Sequence, residues 1–524
     1  MVGLKLSPIL ALAVVFLQIE RGSGKPALVL LFTFFDMLLV AALAAALLSV
    51  RRRWLASLFG AAALVLLVYF ASWLKMQYTA MAAQAGDLMV LASAWELAAP
   101  FARPVIAIAV PLVVVFAALW RFEKPLYRGR RTRGAFALLA CLLFVGCAWI
   151  DNWLPRDDPA LIAGGAGPKI ALFYRSVYQW PSLQPAYFPI LGEHCCMHAD
   201  EAQGIEFRGK VKPNLVVVLQ ESTFPPSHLR GFDAVSNFLF DGAAPLMVHV
   251  RGSGTWVEEY AVLHGVPPTV YGDQYIQINR LGPAMRLPGR IAPLLTRQGY
   301  DTTTIYPLSE HMLSGRALHQ SLGMQRFIGC PEIERCRDGA DWNETPDSVL
   351  FDQTLEVLRS HDEPQFVFVP TMRQHSPHVS QFPLRRYKRE VMQEYGRRLA
   401  LSDIEAKAFI RSLRELPRPT IVLMFGDHVP SDVVAAFDER DFKVDSLQTF
   451  FNIYDANGVP RAAELMARFP SVAAVDSAFL DALLLDFAGF TGDYIETKLQ
   501  FMQLCKGRFC GQSARGAGNV ASNR

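Results

Sequence analysis

A multi-span α-helical membrane domain followed by an extracytoplasmic α/β sandwich, built on a mostly parallel sheet, is the architecture that the sequence predicts. Three observations predict it. The 524 residues are 52% hydrophobic and only 19% charged, with a positive mean hydropathy, which is too long and too apolar for one ordinary soluble domain. The N-terminal part gathers apolar runs near the length that crosses a hydrocarbon core. Beyond them, short continuous apolar runs alternate with amphipathic helical patterns, as expected of strands covered on both faces.

Five stretches read as spans: Leu4 to Gln18, Ala27 to Val50, Trp54 to Leu74, Phe101 to Trp120 and Ala135 to Ile150. The first is the shortest and follows Lys5, so a secretory signal is an alternative, but no small-residue cleavage pattern follows it. Arg51, Arg52 and Arg53 separate spans two and three, and Arg121, Lys124, Arg128, Arg130, Arg131 and Arg133 separate spans four and five. The excess of basic residues puts both loops in the cytoplasm, so everything after Ile150 is expected outside. The net charge of +3 is mostly this topology signal, and no nucleic-acid partner is expected.

The organisation follows. Residues 1–153 are expected to form the membrane domain with five transmembrane helices, and the apolar loop from Lys75 to Pro100 to lie at the outer interface. LPRDDPALIAGGAGPK opens a linker and bridging helix over 154–208, a soluble domain covers 209–511, and 512–524 is a disordered tail. Cys195, Cys196, Cys330, Cys336, Cys505 and Cys510 follow the last span, which suggests disulfides in an oxidising compartment. CPEIERC and CKGRFC each read as a loop closed by its own pair. HCCMHAD offers His194, Cys195, Cys196 and His198 as an alternative metal cluster, but with no common zinc spacing.

In the soluble part NLVVVLQ, TTTIYP, QFVFVPT and TIVLMFG have strand character. NLVVVLQ ends at Glu221 and Ser222; TTTIYP leads to Glu310, His311 and Arg316; QFVFVPT leads to Arg373, His375 and His378; TIVLMFG ends at Asp427 and His428. Ligands of open α/β sheets bind at the carboxyl ends of the strands, so four strands aim metal-binding or anion-binding groups at one place. Any one of them alone is explained as a turn or cap residue.

A nucleophile is expected from HVRGSGTWVEEYAVLHGVPP. Gly252 and Gly254 permit close approach to a ligand, and Thr255 opens an amphipathic helix that ends at Gly265. TWVE also reads as a capping box in which Thr255 and Glu258 bond first-turn amides. The readings overlap, since a hydroxyl at a helix N-terminus sits where amides and dipole favour an alkoxide or phosphate.

The order NLVVVLQES, RGSGTWVEEYAVLHG, TMRQHSPH and FGDHVPSD, behind the apolar spans, resembles the alkaline phosphatase and sulfatase superfamily. More narrowly it resembles the membrane phosphoglycerol transferases of the lipoteichoic acid synthase type, with a relation to the phosphoethanolamine transferases. The resemblance implies a sulfatase-like catalytic domain in which Glu221, Thr255, Asp427 and His428 bind one divalent metal. It implies Thr255 as nucleophile and His375 as the histidine that holds substrate phosphate or assists the leaving group. Arg316 is matched more loosely to a substrate-binding arginine, with Arg373 as rival. The donor types suit Mn²⁺ or Zn²⁺ better than Mg²⁺.

The partners implied are a phospholipid donor, phosphatidylglycerol or phosphatidylethanolamine, and an envelope glycan or lipid acceptor. The implied place is a bacterial inner membrane with the catalytic domain in the periplasm. TWVEEYAVLHG, where the lipid A phosphoethanolamine transferases have a small, Cys-containing helix start, favours phosphoglycerol over phosphoethanolamine. An inactive sensor of the same fold is a further alternative. A sulfatase would need a C-x-P-x-R element, which the sequence lacks.

Overall fold

The computed structural model describes residues 26–79, 95–127, 129–151, 173–174, 204–233, 237–269, 278–281, 291–310, 314–337, 345–379 and 384–509. The chain divides into two units, Met1–Pro181 and Ser182–Arg524.

Among the described residues of the first unit, four helices are long and apolar enough to cross a membrane: Pro26–Arg51, Trp54–Thr79, Trp95–Phe122 and Arg130–Asp151. The expected first span, Leu4 to Gln18, lies outside the described residues. Helix takes up both ends of the Lys75 to Pro100 loop, since Thr79 still belongs to one helix and Trp95 already to the next. The two basic turns lie at one end of the helices. The Glu123 carboxylate accepts the Leu55 and Ala56 amides at 2.8 and 2.7 Å, capping the N-terminus of Trp54–Thr79, and the Tyr127 hydroxyl donates to the Leu48 carbonyl at 2.6 Å. A carboxylate there also meets the positive end of the helix dipole.

The second unit is built on a sheet of eight strands among the described residues. In chain order after the short strand β1 (Glu206–Phe207), these are β2 (Asn214–Gln220), β3 (Ala244–Met247), β4 (Asp301–Tyr306), β5 (Arg326–Gly329), β6 (Gln365–Pro370), β7 (Thr420–Gly426), β8 (Gln448–Tyr454) and β9 (Val475–Asp476). The spatial order is β5-β4-β6-β2-β7-β8-β3-β9, and β1 pairs instead with β10 (Phe490–Thr491). From β5 to β7 every neighbour is parallel, whereas β8 runs antiparallel to both β7 and β3. Every residue of β2, β6 and β7 is buried, which is why the interiors of these strands are apolar and do not alternate, with polar residues only at their ends.

Helices Asp347–Arg359 and Lys388–Leu413 carry the two amphipathic patterns between β5 and β7 and pack on each other through stacked Phe351 and Phe409. Cys330 and Cys336 form a disulfide. Cys505 is also disulfide-bonded, while its expected partner Cys510, the Cys195–Cys196 pair with His194 and His198, most of the 154–208 linker and the 512–524 tail lie outside the described residues.

Candidate active site

β2 and β7 lie side by side and parallel, with Gln220 opposite Gly426. The next residues, Glu221 on one strand and Asp427 and His428 on the other, therefore emerge together at the carboxyl edge of the sheet. Gly426 is required there, because a Cβ would come within 1.9 Å of the Thr223 carbonyl oxygen.

Ligand-type atoms of Glu221, Asp427 and His428 lie within 4.8 Å of one another, and all three residues are buried. Nε2 of His428 is 3.2 Å from Oδ2 of Asp427 and 3.8 Å from Oε1 of Glu221. Neither Asp427 Oδ2 nor His428 Nε2 has a hydrogen-bond partner, and buried polar atoms are rarely left so. Burial pushes the Glu221 carboxyl above its ordinary range, and the Asp427 charge adds to this. Burial likewise raises Asp427 strongly and lowers His428. Two crowded carboxyls and a neutral imidazole, with lone pairs converging on one point, are a donor set that fits a divalent cation.

Thr255 completes the geometry. The helix Thr255–His264 starts from Gly254 at φ 101°, a left-handed conformation that places Thr255 as its first residue, and ends at Gly265 at φ 75°. The Thr255 hydroxyl donates to Glu221 Oε2 at 2.7 Å, and a further side-chain contact joins it to Asp427. It is half-buried, whereas the three ligand-type residues are closed off. The capping-box reading fails: no side chain caps this helix. Glu258 instead accepts the His249 amide and the Ser477 hydroxyl, each at 2.5 Å, and stands 3.2 Å from His249 Nδ1. His249 also reaches Asp476 at 3.2 Å, and the two carboxylates outweigh the effect of burial, so its imidazole is held well above its ordinary value. His249, held between Glu258 and Asp476, thus braces the first turn of the helix. Gly252 bridges Pro430, which gives the proline of DHVP a place: it abuts the loop that carries Thr255.

His375 follows β6. Its Nδ1 donates to the Ser376 carbonyl, which fixes the tautomer and leaves Nε2 as the basic nitrogen. Burial lowers its pKa, while the nearby Glu221 charge pulls the other way.

Residues 213–446 match the family model described as Sulfatase. That segment is a sulfatase-family domain. A search of curated proteins finds an uncharacterised protein of Haemophilus influenzae, 24% identical over 246 residues, which are 42% of this chain and 44% of that protein. It also finds a Rhizobium meliloti protein provisionally named for cyclic β-1,2-glucan modification, 22% identical over 249 residues, 43% of this chain and 37% of that one. The matches therefore span less than half the length of either curated relative. Among solved structures, the integral membrane lipooligosaccharide phosphoethanolamine transferase A of Neisseria meningitidis aligns over 90% of this chain and 97% of its own, with a TM-score of 0.50 and 13% identity. It shares the fold.

Within the sulfatase-family domain, each of the two expected substrate arginines is paired with a glutamate. Arg316 pairs with Glu310, lies 3.5 Å from Glu332 and covers the Phe327 ring. Arg373 pairs with Glu405, and its amide donates to Asp347 at 3.3 Å. His311 lies outside the described residues. Ser222, which the sequence marked only as a strand end, takes a larger part. At φ 51° its amide donates to Asp427 Oδ1 at 2.7 Å and its hydroxyl to Glu221 Oε1 at 2.7 Å. A non-glycine residue with positive φ at such a place stores strain held by its surroundings. Nothing in a serine after a strand announces that conformation.

Proposed function

We propose that this chain transfers a phosphoglycerol group from a membrane phospholipid to a cell-envelope glycan through a phosphothreonine on Thr255. The observation that carries this reading is the half-buried Thr255 hydroxyl aimed at Glu221, beside two lone-pair atoms that hydrogen bonding leaves unused. In the first step the Thr255 oxygen bonds to phosphorus as the bond to the diacylglycerol oxygen breaks. Glu221 accepts the hydroxyl proton, and the protonated form of His375 gives one from Nε2 to the leaving diacylglycerol oxygen. In the second step an acceptor hydroxyl attacks phosphorus from the opposite side, His375 Nε2 takes its proton, and Glu221 returns its proton to the Thr255 oxygen as that oxygen leaves. A divalent ion held by Glu221, Thr255, Asp427 and His428, Mn²⁺ or Zn²⁺, would lower the hydroxyl pKa and neutralise phosphate charge. To bind substrate, Arg316 or Arg373 would exchange its glutamate for a phosphate oxygen.

The glycan acceptor is favoured by the provisional name of the Rhizobium meliloti relative. The placement proposed is a bacterial inner membrane with the catalytic domain in the periplasm, which suits the disulfides. A second reading, phosphoethanolamine transfer to lipid A or a surface glycan, is favoured by the likeness to the Neisseria enzyme across both units. The test is to incubate the purified full chain with Mn²⁺ and with labelled phosphatidylglycerol or phosphatidylethanolamine in turn. Diacylglycerol release and the mass of the Thr255 peptide are then followed. Label from phosphatidylglycerol supports the first reading, label from phosphatidylethanolamine alone supports the second, and label from neither overturns both.

A further inference from the structure

The loop from Arg373 to His378 is held by two charged side chains that touch none of the presumed metal ligands. Arg398, on the helix Lys388–Leu413, donates through Nη1 to the His375 carbonyl at 2.9 Å and through Nη2 to the Pro377 carbonyl at 3.0 Å. Its Nε is paired with Glu394 at 2.9 Å, which orients the guanidinium. From the opposite side comes Asp432, in the first turn of the short helix after Asp427 and His428. Its Oδ1 accepts the Ser376 hydroxyl at 2.9 Å, its Oδ2 accepts the His378 amide at 2.5 Å, and both oxygens stand 3.0 Å from His378 Nδ1.

Asp432 is 2% exposed and the His378 side chain fully buried, so none of these contacts competes with water. His378 then packs edge-on against Tyr395, with ring centroids 5.5 Å apart. The Tyr395 hydroxyl donates to the Phe224 carbonyl at 2.6 Å and accepts the Phe224 amide at 2.9 Å. The segments after β2, β6 and β7 are therefore bonded into one unit, with Asp432 and Tyr395 as its joints. None of these groups reaches the Thr255 hydroxyl, so their use is mechanical.

We propose that Asp432 is a positioning residue for the transfer reaction: it fixes the His375 loop against the Asp427–His428 loop and so sets where His375 stands relative to Thr255. This rests on the transfer reading above, in which His375 must meet the acceptor proton in line with the phosphorus. A misplacement of about 1 Å in such a group costs about a hundredfold in rate.

The experiment uses the full chain and two independent readouts. Hydrogen–deuterium exchange reports the amides of residues 373–378, and turnover of labelled phosphatidylglycerol and phosphatidylethanolamine reports kcat and KM. Asp432→Ala is expected to speed exchange in 373–378 by about tenfold or more, with the β2 and β7 peptides unchanged. It is expected to lower kcat by about 10–100-fold at near-constant donor KM and metal affinity. Asp432→Asn keeps one of the two acceptor oxygens and should recover part of both. Ser376→Ala, which removes only the hydroxyl's bonds to Asp432 Oδ1 and to the Asp432 amide, covers the case in which Asp432→Ala does not fold. Unchanged exchange in 373–378, or kcat within about twofold of the wild type for Asp432→Ala, overturns the positioning role. Exchange that rises across the whole domain overturns it too. A wild-type chain that releases no diacylglycerol from either lipid overturns the transfer reading, and the exchange data then still decide whether Asp432 holds the loop.

Discussion

The hydroxyl of Thr255 lies 2.7 Å from Oε2 of Glu221, although 34 residues separate them. The contact joins the end of the central strand β2 to the first turn of the helix that follows β3. It leaves the threonine oxygen beside two buried carboxylates and one imidazole. Removing that oxygen should stop the reaction at its first bond. Thr255→Ala is expected to lose more than about 10⁴-fold in diacylglycerol release and all phosphoryl mass on the peptide, whereas Thr255→Ser keeps an oxygen in place and should retain measurable turnover. Transfer by the alanine variant, read by mass spectrometry, would exclude the covalent route.

The same cluster predicts a response to metal. A ligand that binds only the folded chain stabilises it by about 2.7 kcal/mol at a hundredfold excess over Kd. Chelator-treated protein titrated with Mn²⁺ or Zn²⁺ should therefore rise in thermal midpoint. Glu221→Gln, which removes one anionic ligand and one crowded buried carboxyl, should unfold no earlier than the wild type without metal and gain much less with it. An equal metal-induced shift in both proteins would place the ion elsewhere.

Arg316 and Arg373 make the same demand on a substrate, because each is already paired with a glutamate. Arg316 is 35% exposed on its side chain and Arg373 16%, so Arg316 exchanges partners at lower cost of desolvation. Arg316→Ala is expected to raise donor KM by about tenfold with kcat nearly kept, and Arg373→Ala to lower stability more than it changes KM. The reverse ranking in steady-state kinetics would make Arg373 the phosphate ligand.

The legible parts of the fold were those where burial writes itself into composition. β2, β6 and β7 are buried on both faces, and their runs are apolar without a break. The left-handed Gly265 that ends the Thr255 helix is likewise marked by its residue type. β3 is four residues with a proline among them and β9 only two, too short for any period to appear. In the site, strand ends locate Glu221, Asp427 and His428 because topology alone brings strand ends together. The partners of Glu258, Arg316 and Arg373 depend on side-chain reach between elements distant in sequence, and no local pattern encodes that.

Asp347 gives a pH dependence away from the presumed metal ligands. Its carboxyl accepts the Arg373 amide, and burial pushes its pKa up from 3.8 to about 6. Between those values the folded chain keeps a proton that the unfolded chain gives up. This group's contribution to stability therefore falls as pH rises from about 4 to about 6 and stays low above that. Asp347→Asn keeps an acceptor oxygen without the charge. It should remove this part of the pH dependence and, at pH near 7, gain up to about 3 kcal/mol. Denaturant unfolding at pH 5 and pH 7.5 measures both. A loss of stability at pH 7.5 would show that the ionised form is favoured in place.

Behind the Thr255 helix, Lys498 and Asp481 form an ion pair whose side chains are wholly buried. The Lys498 ammonium also donates to the carbonyls of Gly265 at 3.0 Å and Ala478 at 2.7 Å, and the Tyr494 hydroxyl donates to Asp481. Because Gly265 caps the helix that Thr255 begins, the pair anchors the far end of that helix to the C-terminal helix Asp493–Leu504. Breaking one side strands a buried charge, so Lys498→Met should cost about 3–5 kcal/mol. Replacing both partners with apolar residues leaves no charge behind, and Lys498→Met with Asp481→Leu should recover much of that loss. If the anchor sets the height of Thr255, the double variant regains stability but not full kcat. Recovery of both together would make the pair a stability element without a part in placing the nucleophile.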